Sequence, residues 1–485
     1  MVSTSLLLAA AGLAFIVSSV DAACPARVRK SWNRYSVQEK ATYKKAVAKA
    51  MDTPLYERFI SMHSDQMSNT EAHGTCVFLF WHRKFLLGYE NMLRSMGSEF
   101  ACVTLPYYDY VQDNLGFAAK SCATIEACSS LLRDMGGSSG RSTTIKIQKF
   151  NVQGNCVATE PVNHFCESTA SCTKCVPRGP WSTTKFGADV GFASIKKQIF
   201  KGTTIAQASA AIELAPHGSI HGTLSSTMNN IYISPTEPVF YSHHAMIDAL
   251  QTIYLKCRVR DKGITSGDMI FQGCQSTSGT PITGNSKIAM RVVVNGKAVP
   301  VDDEPSVKGF FAGLPTTYMG YTDATRLNAH SYAYEFTGLL SELYDKCENA
   351  GTTPTPAPRR LDTTTNATLE HATLSAESCN LVDAQTYLKW SYAMHAAGAA
   401  QHLTSAQVDD DIEKVRAAFY DDCLQASEDF TPEFKAMWHF PARWDVQVLK
   451  SVKDGSRPIQ LQGWADLNMQ HFGCRGDATI KPICV

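Results

Sequence analysis

The chain of 485 residues lacks an excess of charge of either sign, since 45 Lys and Arg balance 45 Asp and Glu. With no basic stripe and no acidic tail, nothing points to nucleic acid or to a polyanionic partner. A membrane-length apolar run is missing as well. The longest such stretch, residues 6–17, is too short to cross a bilayer, and Val20-Asp21-Ala22 follows with residues a signal peptidase accepts. Residues 1–22 therefore read as a secretory signal, and no membrane span is expected. No histidine completes a zinc pattern around Cys172-x2-Cys175. All 16 cysteines lie beyond residue 22, an even number that predicts disulfides in an oxidising compartment. Strand signals are scarce too. One Asn-Gly hairpin stands out at residues 291–299, so strands are expected only after the main helices, along their flank.

What is present is a helical pattern that carries histidines. His82, Phe85, Leu86 and Tyr89 recur at helical spacing, as do Tyr56, Phe59, Ile60 and His63. A single histidine on such a face is normally a core residue. Two facing helices, however, would bring His63 and His82 together, with His73 entering from a short polar connection. A second stretch repeats the arrangement. His217 and His221 are four apart on one helical face, with Pro216 at a tolerated first position. The next helix, from about Pro238, carries His244 and Asp248, the latter a carboxylate placed to orient a histidine. Two sets of three neutral imidazoles on four helices describe a binuclear site for a borderline metal inside a bundle.

These residues resemble the type-3 copper proteins, namely tyrosinases, catechol oxidases and the related oxygen carriers. The likeness rests on His63, on His73-x8-His82-Arg83 with Phe85-Leu86, and on Pro106-Tyr107-Tyr108-Asp109-Tyr110. It continues through His217-x3-His221 and Pro238-Val239-Phe240-x2-His243-His244-Ala245-x2-Asp248, covering roughly residues 36–345. The resemblance implies a mainly α fold, a four-helix bundle with minor β elements. It implies two copper ions, one held by His63, His73 and His82 and the other by His217, His221 and His244, with His243 as a packing neighbour. It also implies O2 as co-substrate and oxidation of phenols and catechols to o-quinones, feeding melanin-type pigment. An oxygen carrier with the same ligands is the alternative. Glu213 matches a glutamate that holds a water as a base. Gly218 stands where efficient monophenol hydroxylases carry an asparagine, which favours catechol oxidation, and Gly222 leaves space above the second copper. Ser331-Tyr332-Ala333-Tyr334 resembles the tyrosine motif that closes such domains, with Tyr318-x2-Tyr321 as a rival. With no cysteine between His63 and His73, no thioether to His73 is expected, although Cys76 lies close.

The expected order is a signal (1–22), a catalytic domain (23–348), a Thr/Pro-rich linker (349–376) and a C-terminal domain (377–485). Residues 114–194 read as a disulfide-held excursion without periodicity. The linker carries Arg359-Arg360 and the sequon Asn366-Ala367-Thr368. The last unit reads as small, helical and disulfide-rich, with Trp438, Phe440 and Trp444 as prominent aromatics and a restraining role over the copper site as its candidate function. A small phenolic molecule is the expected partner, and the sequence assigns no oligomeric state.

Overall fold

A computed structural model of the chain describes residues 24–168, 171–354, 372–373 and 382–476. The expected signal, Arg359-Arg360, Asn366, Cys379 and Cys484 lie outside the described residues.

The chain is mainly helical. Helix α1 (Val37–Met51) opens on the capping box of Ser36 and Glu39, and α2 (Pro54–Ser64) starts behind the Thr53 cap with proline at its first position. The connection expected as a loop after His63 is instead a short helix, α3 (Gln66–Ala72). Asp65 caps it by accepting from the Ser68 N–H, which offsets a polar sequence with no apolar stripe. Helix α4 (Phe78–Arg94) is buried on every side from Phe78 to Glu90, not along a single face. It is the axis of the bundle. Beside it runs the long α8 (Val239–Arg258), against which α5 (Phe192–Phe200) packs; α6 (Ile205–Ile212) packs on α5, and α7 (Gly218–Leu224) follows.

Strands are more widespread than the sequence suggests. β1 (Arg27–Arg29) pairs in parallel with β7 (Tyr332–Phe336), which pairs in turn with β8 (Ala372–Thr373). The region read as aperiodic holds an antiparallel sheet of β2 (Arg141–Ile147), β3 (Phe150–Val157) and β4 (Val176–Arg178), tied by Cys156–Cys175. Its turn at Gln148, with φ of 51°, carries no Asn-Gly signal, and the polar outer face of β2 dilutes the alternation. The expected hairpin is present as β5 (Arg291–Val294) and β6 (Lys297–Pro300).

Seven disulfides form among the described residues, including Cys76–Cys274 and Cys423–Cys474. Cys76 is thereby committed to Cys274 and is not available for a thioether. The C-terminal part is helical, with α9 (Val382–Ala400), α10 (Ser405–Asp422), α11 (Pro432–Trp438), α12 (Trp444–Lys453) and α13 (Trp464–Phe472). Trp390, Met394, Ile412, Val415 and Phe419 of α9 and α10 join the same continuous core as α4 and α8.

One buried ionic network ties the ends of the bundle together. Asp248 of α8 accepts from Arg83 Nε of α4 at 2.5 Å and from Arg29 Nη1 of β1 at 3.0 Å. The hydroxyls of Tyr332 and Tyr334 donate to the same carboxylate at 2.6 and 2.5 Å. Arg29 also donates to Glu90 at 3.0 Å. Asp248 therefore holds guanidiniums and strand β7, and does not orient a histidine as the sequence suggested. Breaking one partner of such a pair strands the other charge in the interior. Asp248→Ala, which leaves two buried guanidiniums without this carboxylate, is expected to cost about 3–5 kcal/mol in chemical unfolding. A loss below about 1 kcal/mol would show that the network does not hold the bundle.

Candidate metal centre

Four helices and one cap deliver the histidines. His63 comes from the last turn of α2, His73 is the residue that closes α3, and His82 lies within α4. A wide turn over Glu213–His217, kinked at Ala215, leads into α7 and supplies His217 and His221. Pro216 sits in that turn rather than at the first position of a regular helix. His243 and His244 come from α8. The nitrogens of His63, His73 and His82 lie within 4.8 Å of one another, as do those of His217, His221, His243 and His244. The two groups adjoin, because the rings of His82 and His244 stack at 4.2 Å.

Main-chain carbonyls set the tautomers. Nδ1 of His73, His82 and His217 donates to the carbonyl four residues earlier, at Asn69 (3.2 Å), Phe78 (2.9 Å) and Glu213 (3.1 Å). His63 Nδ1 donates to Tyr232 O at 3.4 Å, and His221 Nδ1 to Met228 O at 2.8 Å. A carbonyl can only accept, so in these five rings the proton sits on Nδ1 and Nε2 carries the free lone pair. His63 Nε2 faces His82 Nε2 at 3.4 Å, and His221 Nε2 faces His244 Nε2 at 3.4 Å. Nε2 of His73 and of His217 is buried without a partner. The lone pairs of His63 and His82, aimed at one another in a dry pocket, repel, and a cation between them removes the conflict. The residues present fit a metal at each group.

His243 differs. Neither of its ring nitrogens has a partner, and its ring stacks on His217 at 5.4 Å. The structure thus places it inside a metal-sized group, closer than a mere packing neighbour. Glu213 is buried, and its carboxylate accepts from the Gly74 N–H at 2.7 Å, which joins the second group to the residue after His73. Burial pushes this carboxyl up to about 8. Tyr332 and Tyr334, not Tyr318 and Tyr321, meet the bundle at Asp248.

The face of the site is covered by α11. The Trp438 ring lies 4.6 Å from His221, 5.6 Å from His217 and 5.7 Å from His73, and its Nε1 donates to Asn229 O at 2.7 Å. A Cβ added at Gly218 would lie 2.4 Å from the Phe440 ring, and one at Gly222 would lie 2.8 Å from Phe430. The space expected above Gly222 is therefore filled. Sequence reasoning noted Trp438 and Phe440 as aromatics but had no signal for this seat, more than two hundred residues away in the chain.

The family model described as "Common central domain of tyrosinase" matches residues 54–256, a span holding every histidine above. Residues 54–256 are a tyrosinase-family domain. A tyrosinase of Hahella sp. (strain CCB-MM4) is 27% identical over 235 residues, 46% of this chain and 46% of that protein. The match thus spans under half of that relative's length. A tyrosinase of Streptomyces glaucescens is 25% identical over 251 residues, 46% of this chain and 80% of the relative. Among solved structures, an octopus hemocyanin functional unit aligns with a TM-score of 0.41 at 16% identity, over 64% of this chain and 68% of that one. A polyphenol oxidase variant from Thermothelomyces thermophila aligns with a TM-score of 0.33 at 20% identity, over 47% and 70% of the two chains.

Burial also keeps the tyrosinase-family histidines neutral. His73 is lowered to about 4 and His221 to about 3, chiefly by desolvation, and the other five are held below the ordinary range for the same first reason. Between an unfolded value near 6.5 and the lowered folded values, the unfolded chain binds more protons, so the metal-free fold loses stability as pH falls through that window. A bound metal should be retained without pH dependence from about pH 8 to 5 and released as pH falls through about 4 to 3. Metal content after dialysis across this range checks it; a release midpoint near 6.5 would mean that the imidazoles titrate as exposed ones.

Proposed function

We propose that the protein is a copper-dependent oxidase that converts phenols and o-diphenols (catechols) to o-quinones with O2. The observation that carries this reading is the pair of imidazole sets with converging Nε2 atoms, buried in a tyrosinase-family domain. His63, His73 and His82 hold one copper, and His217, His221 and His244 the other. Within the second group, His244 Nε2 converges on His221 Nε2 at 3.4 Å and the His244 ring stacks on His82 of the first group at 4.2 Å, which supports His244 as the ligand. Copper bound there supplies the electron exchange with dioxygen. Two catechols together give up four electrons and four protons, which reduce one dioxygen to two waters.

The chain's own residues orient and move protons. Carbonyls fix five of the six rings, so that a neutral donor set meets the metal without proton release. Glu213, tied to Gly74, is the buried carboxyl beside the site and serves as the base for an incoming phenol. Its value of about 8 belongs to the metal-free pocket, and nearby cations lower it. With glycine at 218, no side chain there helps hold a water, which supports catechol oxidation outpacing monophenol hydroxylation. The o-quinone products are of the kind that condense into melanin-type pigment. Seven disulfides support passage through a secretory route, and no helix among the described residues is long and apolar enough to cross a membrane.

The Trp438 cover favours a second reading, an oxygen-binding protein, because dioxygen needs less space than a phenol to reach the imidazoles. Turnover of a small catechol by protein freed of the cover separates the two.

Two substitutions test the assignment. His244→Ala should lose one copper per chain and catechol oxidation, whereas His243→Ala should keep most of its metal; equal metal loss from both overturns the choice within the pair. Glu213→Gln should keep both metals and lower phenol turnover by about 100-fold, the usual scale for a lost general base. Turnover unchanged in Glu213→Gln would remove Glu213 from the proton path.

A further inference from the structure

The part of the chain that covers the imidazoles is distinct from the part that anchors it. Helices α9 and α10 belong to the main core through Tyr387, Trp390, Met394, Val415, Phe419 and Tyr420. They are also tied by polar contacts, with Tyr420 Oη donating to Asn114 at 2.6 Å and Lys196 Nζ to Asp409 at 2.8 Å. By contrast, Phe430, Phe434 and Trp438 form a separate small cluster with Ile231, joined at its edge by Tyr232 and Phe440. The hydrogen bond that links this excursion to the catalytic body runs from Trp438 Nε1 to Asn229 O.

The ends of the excursion are drawn together. Arg443 Nη2 donates to Ala426 O at 3.0 Å, and the Arg443 N–H donates to Asp429 at 2.7 Å. Arg443 Nε pairs with Asp445 at 2.7 Å, and Asp445 accepts from the Ala188 N–H of the body at 2.8 Å. Residues 427–442 thus have the anatomy of an Ω-loop: close ends, and an interior in which Phe430, Phe434 and Trp438 pack on one another and on Ile231 of the body. A cavity of about 470 Å³ lies alongside, lined by Gly222, Phe430, Phe434, Thr183 and Lys185, so the loop is loosely supported on that flank. Segments with few contacts to the main core open at lower free energy than the elements that build it.

We infer that the cover is a hinged strap: residues 427–442 swing away from the imidazoles about the Arg443–Asp445 clasp, while α9 and α10 stay docked in the main core. Cutting the chain between residues 354 and 382 then does not uncover the site, because what holds the strap is not the linker. This rests on the reading of the imidazole sets as the phenol-oxidising centre.

The test uses full-length, copper-loaded protein in three forms: intact, cut at a protease site placed within residues 355–371, and Trp438→Ala combined with Phe440→Ala. The two pieces of the cut form are expected to co-elute on size exclusion, with catechol turnover within twofold of the intact form. The double variant is expected to gain tenfold or more. Hydrogen exchange on the intact protein is expected to show amides of residues 432–438 exchanging at least 100-fold faster than those of 405–422. Separation of the cut pieces with a rise in turnover equal to that of the double variant overturns the strap. So does exchange of the two segments in one step. If no form oxidises catechol, the oxidase reading fails, while co-elution and hydrogen exchange still decide the strap, even where the double variant does not fold.

Discussion

The bond from an imidazole Nδ1–H to a main-chain carbonyl is the constraint on which the site depends. It recurs at five histidines, and at three of them the carbonyl lies four residues earlier. A helical carbonyl already accepts one backbone N–H, and its second lone pair is free for the ring. At His73 both bonds are present, since the backbone N–H of His73 and its Nδ1 each donate to Asn69 O. Ring orientation is therefore inherited from helix geometry, without a dedicated carboxylate behind each histidine. That frees Asp248, which serves Arg29 and Arg83 and leaves the imidazoles to the backbone.

The same economy explains why so many charges sit inside the bundle. Arg83, Lys84 and Glu90 lie on the all-buried α4, and each finds an opposite charge on another element, Lys84 on Asp302 at the surface. Arg178 pairs with Glu237 at 2.7 Å beneath the loop that leads to α8. Such pairs add little net stability but penalise any packing in which they separate. They fix the mutual register of β1, α4, α8 and β7, and so the distance between the two imidazole groups.

Much of the site was legible in the sequence, because helical period and histidine spacing are local. The spacings within 63–82 and 217–244 place the rings on inward faces, and the structure brings each of those rings to the pocket. What was not legible depends on contacts distant in the chain. The β2–β3–β4 sheet hides in Cys- and Ser-rich sequence whose strands have one polar face. The helix α3 was missed because its signal is a single cap, Asp65. No local pattern could reveal that Asp248 faces guanidiniums rather than a histidine, since Arg29 lies 219 residues away. Trp438 was visible as an aromatic residue, but its seat over His221 follows from how α10 and α12 pack, not from its neighbours in sequence.

Helix α7 shows how one spacing serves two surfaces. His217 and His221, four apart, face the metal pocket, and Gly218 and Gly222 follow each of them by one residue. One residue on an α-helix is a rotation of about 100°, so the glycines form a second stripe beside the imidazole stripe. Having no side chain, that stripe is a flat seat, and Phe440 and Phe430 occupy it at distances that no Cβ would permit. A larger residue at either glycine would lift the aromatic cover before it touched the metal pocket. Any molecule too large to pass beside Trp438 must likewise displace these rings to reach the imidazoles. Access to the site is thus controlled by packing on the glycine stripe, while reactivity is set on the histidine stripe of the same short helix.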